Sequence, residues 1–283
     1  MAISSNRVSR EWVVRQLNQN AGGFSIADVR FHPDDPDYGH RVYRENHLPG
    51  AVFVDLKRDL TDPAGTHGGR SPLPSVERLA DLFGRLGFER SKPIVVYDDD
   101  LRPEAARLWW ILRYLGHEQV YILEGGYSGW AAAGLPVTEA ETNPAPASFV
   151  PEVQAERLAD VETVRTAVAR GTAALVDSRD RRQFLGEAAP YDPVAGRIPG
   201  AVHAFWKDGV NEEGGWKSPE AQRLRFSLLD QEQDVIVYCG SGLSACPNVL
   251  ALEEAGFRRV KLYAGSWSDW ISYADHPVAT GEE

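Results

Sequence analysis

The sequence predicts an α/β protein of two tandem domains of one kind, each a parallel sheet flanked by helices on both faces. Three observations carry that expectation. Strand-like and helix-like runs alternate, the same short motifs occur twice, and 283 residues suit about two domains of ordinary size. In the first half, Ala27-Asp28-Val29-Arg30 precedes His47-Leu48-Pro49-Gly50-Ala51-Val52. About 150 residues on, Val176-Asp177-Ser178-Arg179 precedes Arg197-Ile198-Pro199-Gly200-Ala201-Val202. Ile94-Val95-Val96-Tyr97-Asp98 returns 141 positions later as Val235-Ile236-Val237-Tyr238-Cys239. Leu123-Glu124-Gly125-Gly126-Tyr127-Ser128-Gly129-Trp130 returns 140 positions later as Tyr263-Ala264-Gly265-Ser266-Trp267-Ser268-Asp269-Trp270. The stretch 139–152, rich in Ala, Pro, Thr and Glu, reads as the join, so the expected units are 1–142 and 156–283 with a linker at 143–155.

Taken in order, the first copy offers amphipathic helices at 75–86 and 105–115 around the apolar strand that begins at Ile94. The second offers strands at 173–177, 201–203, 235–238 and 260–263, with helices at 220–229 and 245–255. The copies differ at one telling place. Asp98 stands where the second copy has Cys239, so only the second copy is expected to be chemically active. The paired tryptophans (Trp109 and Trp110; Trp267 and Trp270) read as core or interface residues.

The strand at 235–238 ends at Cys239, crosses Gly240, Ser241, Gly242, Leu243 and Ser244, and enters a helix at Ala245 with Pro247 in its first turn. Ligands in open α/β sheets sit beyond the carboxyl ends of the strands. A small-residue loop there can turn several N–H groups inward, and the following helix adds a positive partial charge. Both favour a thiolate over a thiol, as a nucleophilic cysteine requires. The competing reading is a buried structural cysteine in a tight turn. Cys246 reads as a buried cysteine; its alternative, a resolving thiol, is disfavoured by the spacing.

Composition narrows the classes. Apolar content of 43% and a charged fraction of 25% describe a soluble globular chain with ample core. A net charge of −11 argues against nucleic acid or an anionic membrane as main partner, and obliges any anionic substrate to be held by a local positive site. Two cysteines do not make a disulfide framework. Residues 1–20 are polar and helix-patterned, with no signal-peptide core, and no apolar run reaches membrane-span length. A cytoplasmic protein is expected.

Together, these motifs resemble the tandem rhodanese family over nearly all of both halves. The loop Cys239-Gly240-Ser241-Gly242-Leu243-Ser244-Ala245 is similar to the family's mercaptopyruvate version, Cys-Gly-Ser-Gly-Val-Thr-Ala. The thiosulfate version carries basic residues after the cysteine, where this chain has Gly240 and Ser241. The resemblance implies sulfur transfer by double displacement without metal or cofactor. Cys239 would take a sulfane sulfur from 3-mercaptopyruvate or thiosulfate and pass the persulfide sulfur to a thiol, a thioredoxin-like protein or cyanide. Residues 240–245 would cradle the donor and Ser241 would polarise its carbonyl; a loop hydroxyl bonding backbone is the other reading of Ser241.

Three departures bear on the donor. A basic residue usual in the family four positions after the Asp-Ser-Arg arginine is Gln183, which leaves Arg179 and Arg182 as candidate anchors. The family's His-Ile-Pro-Gly is Arg197-Ile198-Pro199-Gly200, which makes Arg197 a third. The histidine before Pro-Leu-Pro is Ser71, with His67 the nearest substitute. Two rival functions are weighed: a sulfur-carrier or regulatory module without catalysis, and a cysteine-loop phosphatase. The phosphatase signature needs an arginine where this chain has Ala245.

Overall fold

A computed structural model describes residues 5–19, 22–212 and 214–282. Of the expected helix-patterned start, residues 1–4 and Asn20 lie outside the described residues. Two compact units result, and neither is continuous in sequence. The first comprises Met1–Thr61, Pro74–Gln154 and Glu212–Trp216; the second comprises Asp62–Leu73, Ala155–Asn211 and Lys217–Glu283.

In the first unit the elements run β1 (Arg7–Val8), α1 (Arg10–Gln19), β2 (Ser25–Asp28), α2 (Tyr38–Glu45), β3 (Ala51–Phe53), α3 (Val76–Arg85), β4 (Ile94–Tyr97), α4 (Pro103–Tyr114), β5 (Val120–Leu123) and α5 (Gly126–Ala132). The second repeats them as β6 (Leu158–Ala159), α6 (Val161–Arg170), β7 (Ala174–Asp177), α7 (Arg181–Leu185), β8 (Ala201–His203), α8 (Pro219–Arg225), β9 (Val235–Tyr238), α9 (Cys246–Glu254), β10 (Val260–Tyr263) and α10 (Ser266–Trp270). Each sheet has five parallel strands in the same order, β1-β5-β4-β2-β3 and β6-β10-β9-β7-β8. The expected α/β class and parallel sheets are borne out. Helix α8 stops at Arg225, short of the expected 229, where the chain turns and buries Phe226.

Local chemistry explains the elements. All four residues of β4 and of β9 are buried, because a central parallel strand is covered on both faces and reads as a continuous apolar run. Ser75, Asp160, Asp180 and Ser218 each accept an N–H of the first turn of the helix they precede. The repeated Asp-x-Arg motif is a buried ion pair in each unit, Arg30 to Asp28 at 2.7 Å and Arg179 to Asp177 at 2.6 Å. Removing one partner of such a pair strands a buried charge, a loss of about 3–5 kcal/mol. The Pro-Gly turns pack the same way too. Leu48 N–H donates to the Tyr97 hydroxyl, and Ile198 N–H to that of Tyr238.

Candidate active site

Cys239 lies at the carboxyl end of β9, 1% exposed, where β10 and the start of α10 fasten it. Its N–H donates to Ser266 Oγ at 3.1 Å, and its carbonyl accepts the Trp267 N–H at 2.9 Å. The next carbonyl, of Gly240, accepts the Ser268 N–H at 3.0 Å. These three bonds give the Gly265-Ser266-Trp267-Ser268 ending its reason. Ser266 holds a left-handed backbone, φ 56°, and its hydroxyl also donates to the Tyr263 carbonyl at 2.8 Å. A buried residue other than glycine in that conformation marks a place where the surroundings dictate the backbone.

The loop then folds back on the sulfur. Gly242 donates its N–H to Cys239 Sγ at 3.1 Å. Only glycine fits there, since φ is +82° and a Cβ would lie 2.2 Å from the Ala264 carbonyl oxygen. The Cys246 thiol donates to the Gly242 carbonyl at 3.3 Å, so it braces the same peptide from behind. Ser241, Leu243 and Ser244 are partly exposed along the loop, and Ala245 is fully buried at the start of α9. Helix α9 is anchored by buried Asn248, which donates to Ser178 Oγ and the Ala204 carbonyl and accepts from Arg225.

The three sequence-predicted arginines have different placements. Arg179 runs its Cδ beside Gly240, but its guanidinium is spent on Asp177 and the Gly196 carbonyl, 4.8 Å from the Trp267 ring centre. Burial opposes its charge, yet the Asp177 carboxylate outweighs burial and raises its pKa, with a smaller contribution from Cys239. Arg197 is buried too, and donates to the carbonyls of Phe184 and Gly281 while its own backbone pairs with Ala279. It thereby pins the end of the chain, as His47 does in the first unit by pairing with Thr138. Arg182 is exposed on α7, and Gln183 donates its N–H to Asp180, the cap of that helix. His67 stacks on Tyr273 with ring centres 4.1 Å apart and bonds Ser272 Oγ at 2.7 Å.

One charged residue at the loop escaped the sequence reading. Arg70, from the segment 62–73 that belongs to the second unit, brings Nη2 to within 2.8 Å of where a Gly240 Cβ would stand. Its Nη1 pairs with Asp192, whose side chain is only 4% exposed. No motif flagged Arg70, because the residues that place it lie roughly 200 positions away.

The equivalent loop of the first unit is a different chemical object. Asp98, buried, turns its carboxylate onto the Ala105 N–H at 3.0 Å. Burial pushes its pKa up to about 7, and burial with the neighbouring Asp98 pushes Glu104 up to about 8. A cavity of about 700 Å³ between Phe24, Leu86 and Pro144 is also in the first unit and holds none of the Cys239 loop.

Comparison with known proteins agrees with this geometry. The model of the Rhodanese-like domain matches residues 9–133 and again 160–273. The chain is 44% identical over 262 residues to a protein of Pseudomonas aeruginosa named "Probable 3-mercaptopyruvate sulfurtransferase", covering 91% of this chain and 92% of that one. It is 34% identical to thiosulfate sulfurtransferase of Rattus norvegicus, over 94% and 92% of the two chains. Among solved structures, SseA from Escherichia coli, described as a 3-mercaptopyruvate sulfotransferase of rhodanese fold, superposes with a TM-score of 0.83 at 31% identity. That match covers 94% of this chain and 100% of the other.

Proposed function

The chain belongs to the rhodanese family as a tandem-domain sulfurtransferase of the 3-mercaptopyruvate or thiosulfate type, and on that premise we propose that Cys239 is its nucleophile and 3-mercaptopyruvate its preferred donor. The observation that carries the proposal is the Gly242 N–H aimed at Cys239 Sγ in a loop that has no charged side chain of its own.

In the first half-reaction the Cys239 thiolate attacks the donor sulfur. An S–S bond forms, the donor's C–S bond breaks, and its electron pair leaves on carbon as the enolate of pyruvate, which takes a proton. Both sulfurs end one electron-equivalent more oxidised, and the carbon is reduced by two. In the second half-reaction a thiophilic acceptor (a thiol, a thioredoxin-like protein or cyanide) takes the outer sulfur and returns the Cys239 thiolate. Loop N–H groups stabilise the anionic sulfur in both halves. Ser241, partly exposed two residues after Cys239, would donate to the donor's carbonyl as enolate charge develops. Thiosulfate leaves as sulfite, a doubly charged group that gains most from several cations, and residues 240–245 offer none.

Intact-mass measurement after donor treatment tests the nucleophile. One added sulfur is expected on the wild type and none on Cys239→Ala; a sulfur mapped to Cys246 would overturn the assignment. Side-by-side kinetics test the donor. A higher kcat/KM for thiosulfate would overturn that half alone.

A further inference from the structure

We infer that the exposed loop 188–195, between α7 and β8, is the docking surface for a protein acceptor: Tyr191 and Val194 hold, by apolar contact, a partner that carries the sulfur-accepting thiol. The inference rests on the sulfur-transfer reading above and gives its second half-reaction a partner class and a place to bind.

The loop is fastened from within and bare without. Ala188 N–H donates to the Arg182 carbonyl at 3.2 Å, and the Gly196 carbonyl accepts from Arg179 at 2.7 Å, so both ends are fixed. Between them, the Val194 carbonyl accepts the Trp267 indole N–H at 3.0 Å. The backbone N–H of Trp267 donates to the Cys239 carbonyl at 2.9 Å. One residue therefore holds both the loop and the nucleophile. Asp192, the only charged residue of 188–195, turns inward onto Arg70, its side chain 4% exposed.

What faces outward is uncharged and apolar. Tyr191 is 74% exposed and Val194 36%, with Pro190 and Pro193 exposed beside them. On a chain of net charge −11, such a strip holds a partner by buried apolar area. The Arg70 guanidinium carbon stands 5.7 Å from the Tyr191 ring centre and steadies the ring. The two prolines fix φ on either side of Tyr191, so little freedom is lost when a partner settles on the loop. Tyrosine joins a large ring to few rotatable bonds, which is why it anchors the centres of protein interfaces. The burial of the sulfur makes an anchor necessary. Cys239 is 1% exposed, so cyanide can reach it unaided, whereas a thiol on a protein has to be held while it is delivered. In the transfer, the acceptor thiolate bonds the outer sulfur, and the bond from that sulfur to Cys239 breaks with its electron pair left on Sγ. In a dithiol protein the second thiolate then bonds the first and expels hydrosulfide. Two thiols are thereby oxidised to a disulfide as the sulfane sulfur is reduced.

The test is steady-state kinetics on the full chain, with 3-mercaptopyruvate and in parallel thiosulfate as saturating donor, and with reduced thioredoxin, dithiothreitol and cyanide as acceptors. For Tyr191→Ala, KM for thioredoxin should rise roughly 5- to 30-fold, the range of a truncated interface anchor, with kcat changed far less. Turnover with dithiothreitol and cyanide should stay at the wild-type level, which also shows that the variant is folded. Tyr191→Phe should keep the wild-type KM, and Val194→Ala should raise it by less than Tyr191→Ala does. An unchanged KM for thioredoxin in Tyr191→Ala/Val194→Ala overturns the inference. So does an equal loss with all three acceptors, which would put the loop in the Cys239 site itself. A wild-type chain that transfers to cyanide and never to thioredoxin overturns the protein acceptor alone. A wild-type chain that takes no sulfur from either donor overturns the sulfur-transfer reading, and this inference with it.

Discussion

The loops after β4 and after β9 begin from one backbone and end as two kinds of chemistry. Each passes through a left-handed residue at the same place, Leu101 at φ 55° and Gly242 at φ 82°. Each is held by two N–H groups from the following strand–helix turn: Tyr127 and Ser128 bond the carbonyls of Asp98 and Asp99, and Trp267 and Ser268 bond those of Cys239 and Gly240. The strand-end side chain is what sets the frame proposed as the site apart from the other. Asp98 reaches forward to satisfy a helix N-terminus, whereas Cys239 receives an N–H from its own loop. The fold thus provides one turn twice, with a carboxylate that accepts a helix N–H at its centre in the first unit and a thiol that accepts a loop N–H in the second.

The comparison breaks hardest at the left-handed position. Gly242→Ala should drive a methyl against the Ala264 carbonyl and swing the N–H away from Cys239. Sulfur transfer should fall about 10- to 100-fold, the value of a hydrogen bond to a charged group, and an unchanged kcat/KM would show that this N–H does nothing for the sulfur. The mirror change, Leu101→Gly, should leave transfer intact in the same assay and cost the first unit the burial of one leucine, about 2–5 kcal/mol, read as a lower urea midpoint.

Next in size is a pH effect confined to the first loop. Asp98 and Glu104 are raised to about 7 and about 8, so the folded unit keeps protons that the unfolded chain gives up near pH ~4. Stability from this pair is full below pH ~4 and is lost as pH rises through 7 to 8, by at most ~1.4 kcal/mol per pH unit for each proton. Urea midpoints measured from pH 5 to 9 should fall with pH, and Asp98→Asn should flatten the slope. A slope unchanged in Asp98→Asn would place the titration elsewhere.

The smallest expected effect belongs to Cys246. Cys246→Ser keeps a donor to the Gly242 carbonyl, so kcat/KM should stay within about 3-fold of wild type, less than the ~1 kcal/mol of a typical hydrogen bond implies. A loss of 100-fold would give this thiol a part in the chemistry.

Much of the fold was legible because parallel sheets leave plain marks. The all-apolar strands at 94–97 and 235–238, the doubled Asp-x-Arg and Pro-Gly motifs, and the near-constant offsets each answer to a contact now visible. Strands β1 and β6 were not legible, since two residues have no period. Cys239 and its loop were legible because strand, turn and helix follow one another directly. The arginines were not. Sequence shows a charge near a motif, but not that Arg179 and Arg197 spend theirs on internal carboxylates and carbonyls. Nor does it show Arg70 arriving from a segment remote in sequence.

That remoteness has a consequence for how the molecule is made. The bonds that seat 62–73 close loops of 198 to 205 residues, and loop-closure entropy makes each about 2 kcal/mol harder to close than a 20-residue loop. Such contacts reward the chain late in folding. During synthesis, residues 62–73 emerge well before residues 265–272, whose side chains and backbone seat them. The cysteine loop and Arg70 therefore come together only after residues 265–272 have been made, and a chain cut at 143–155 parts their segments.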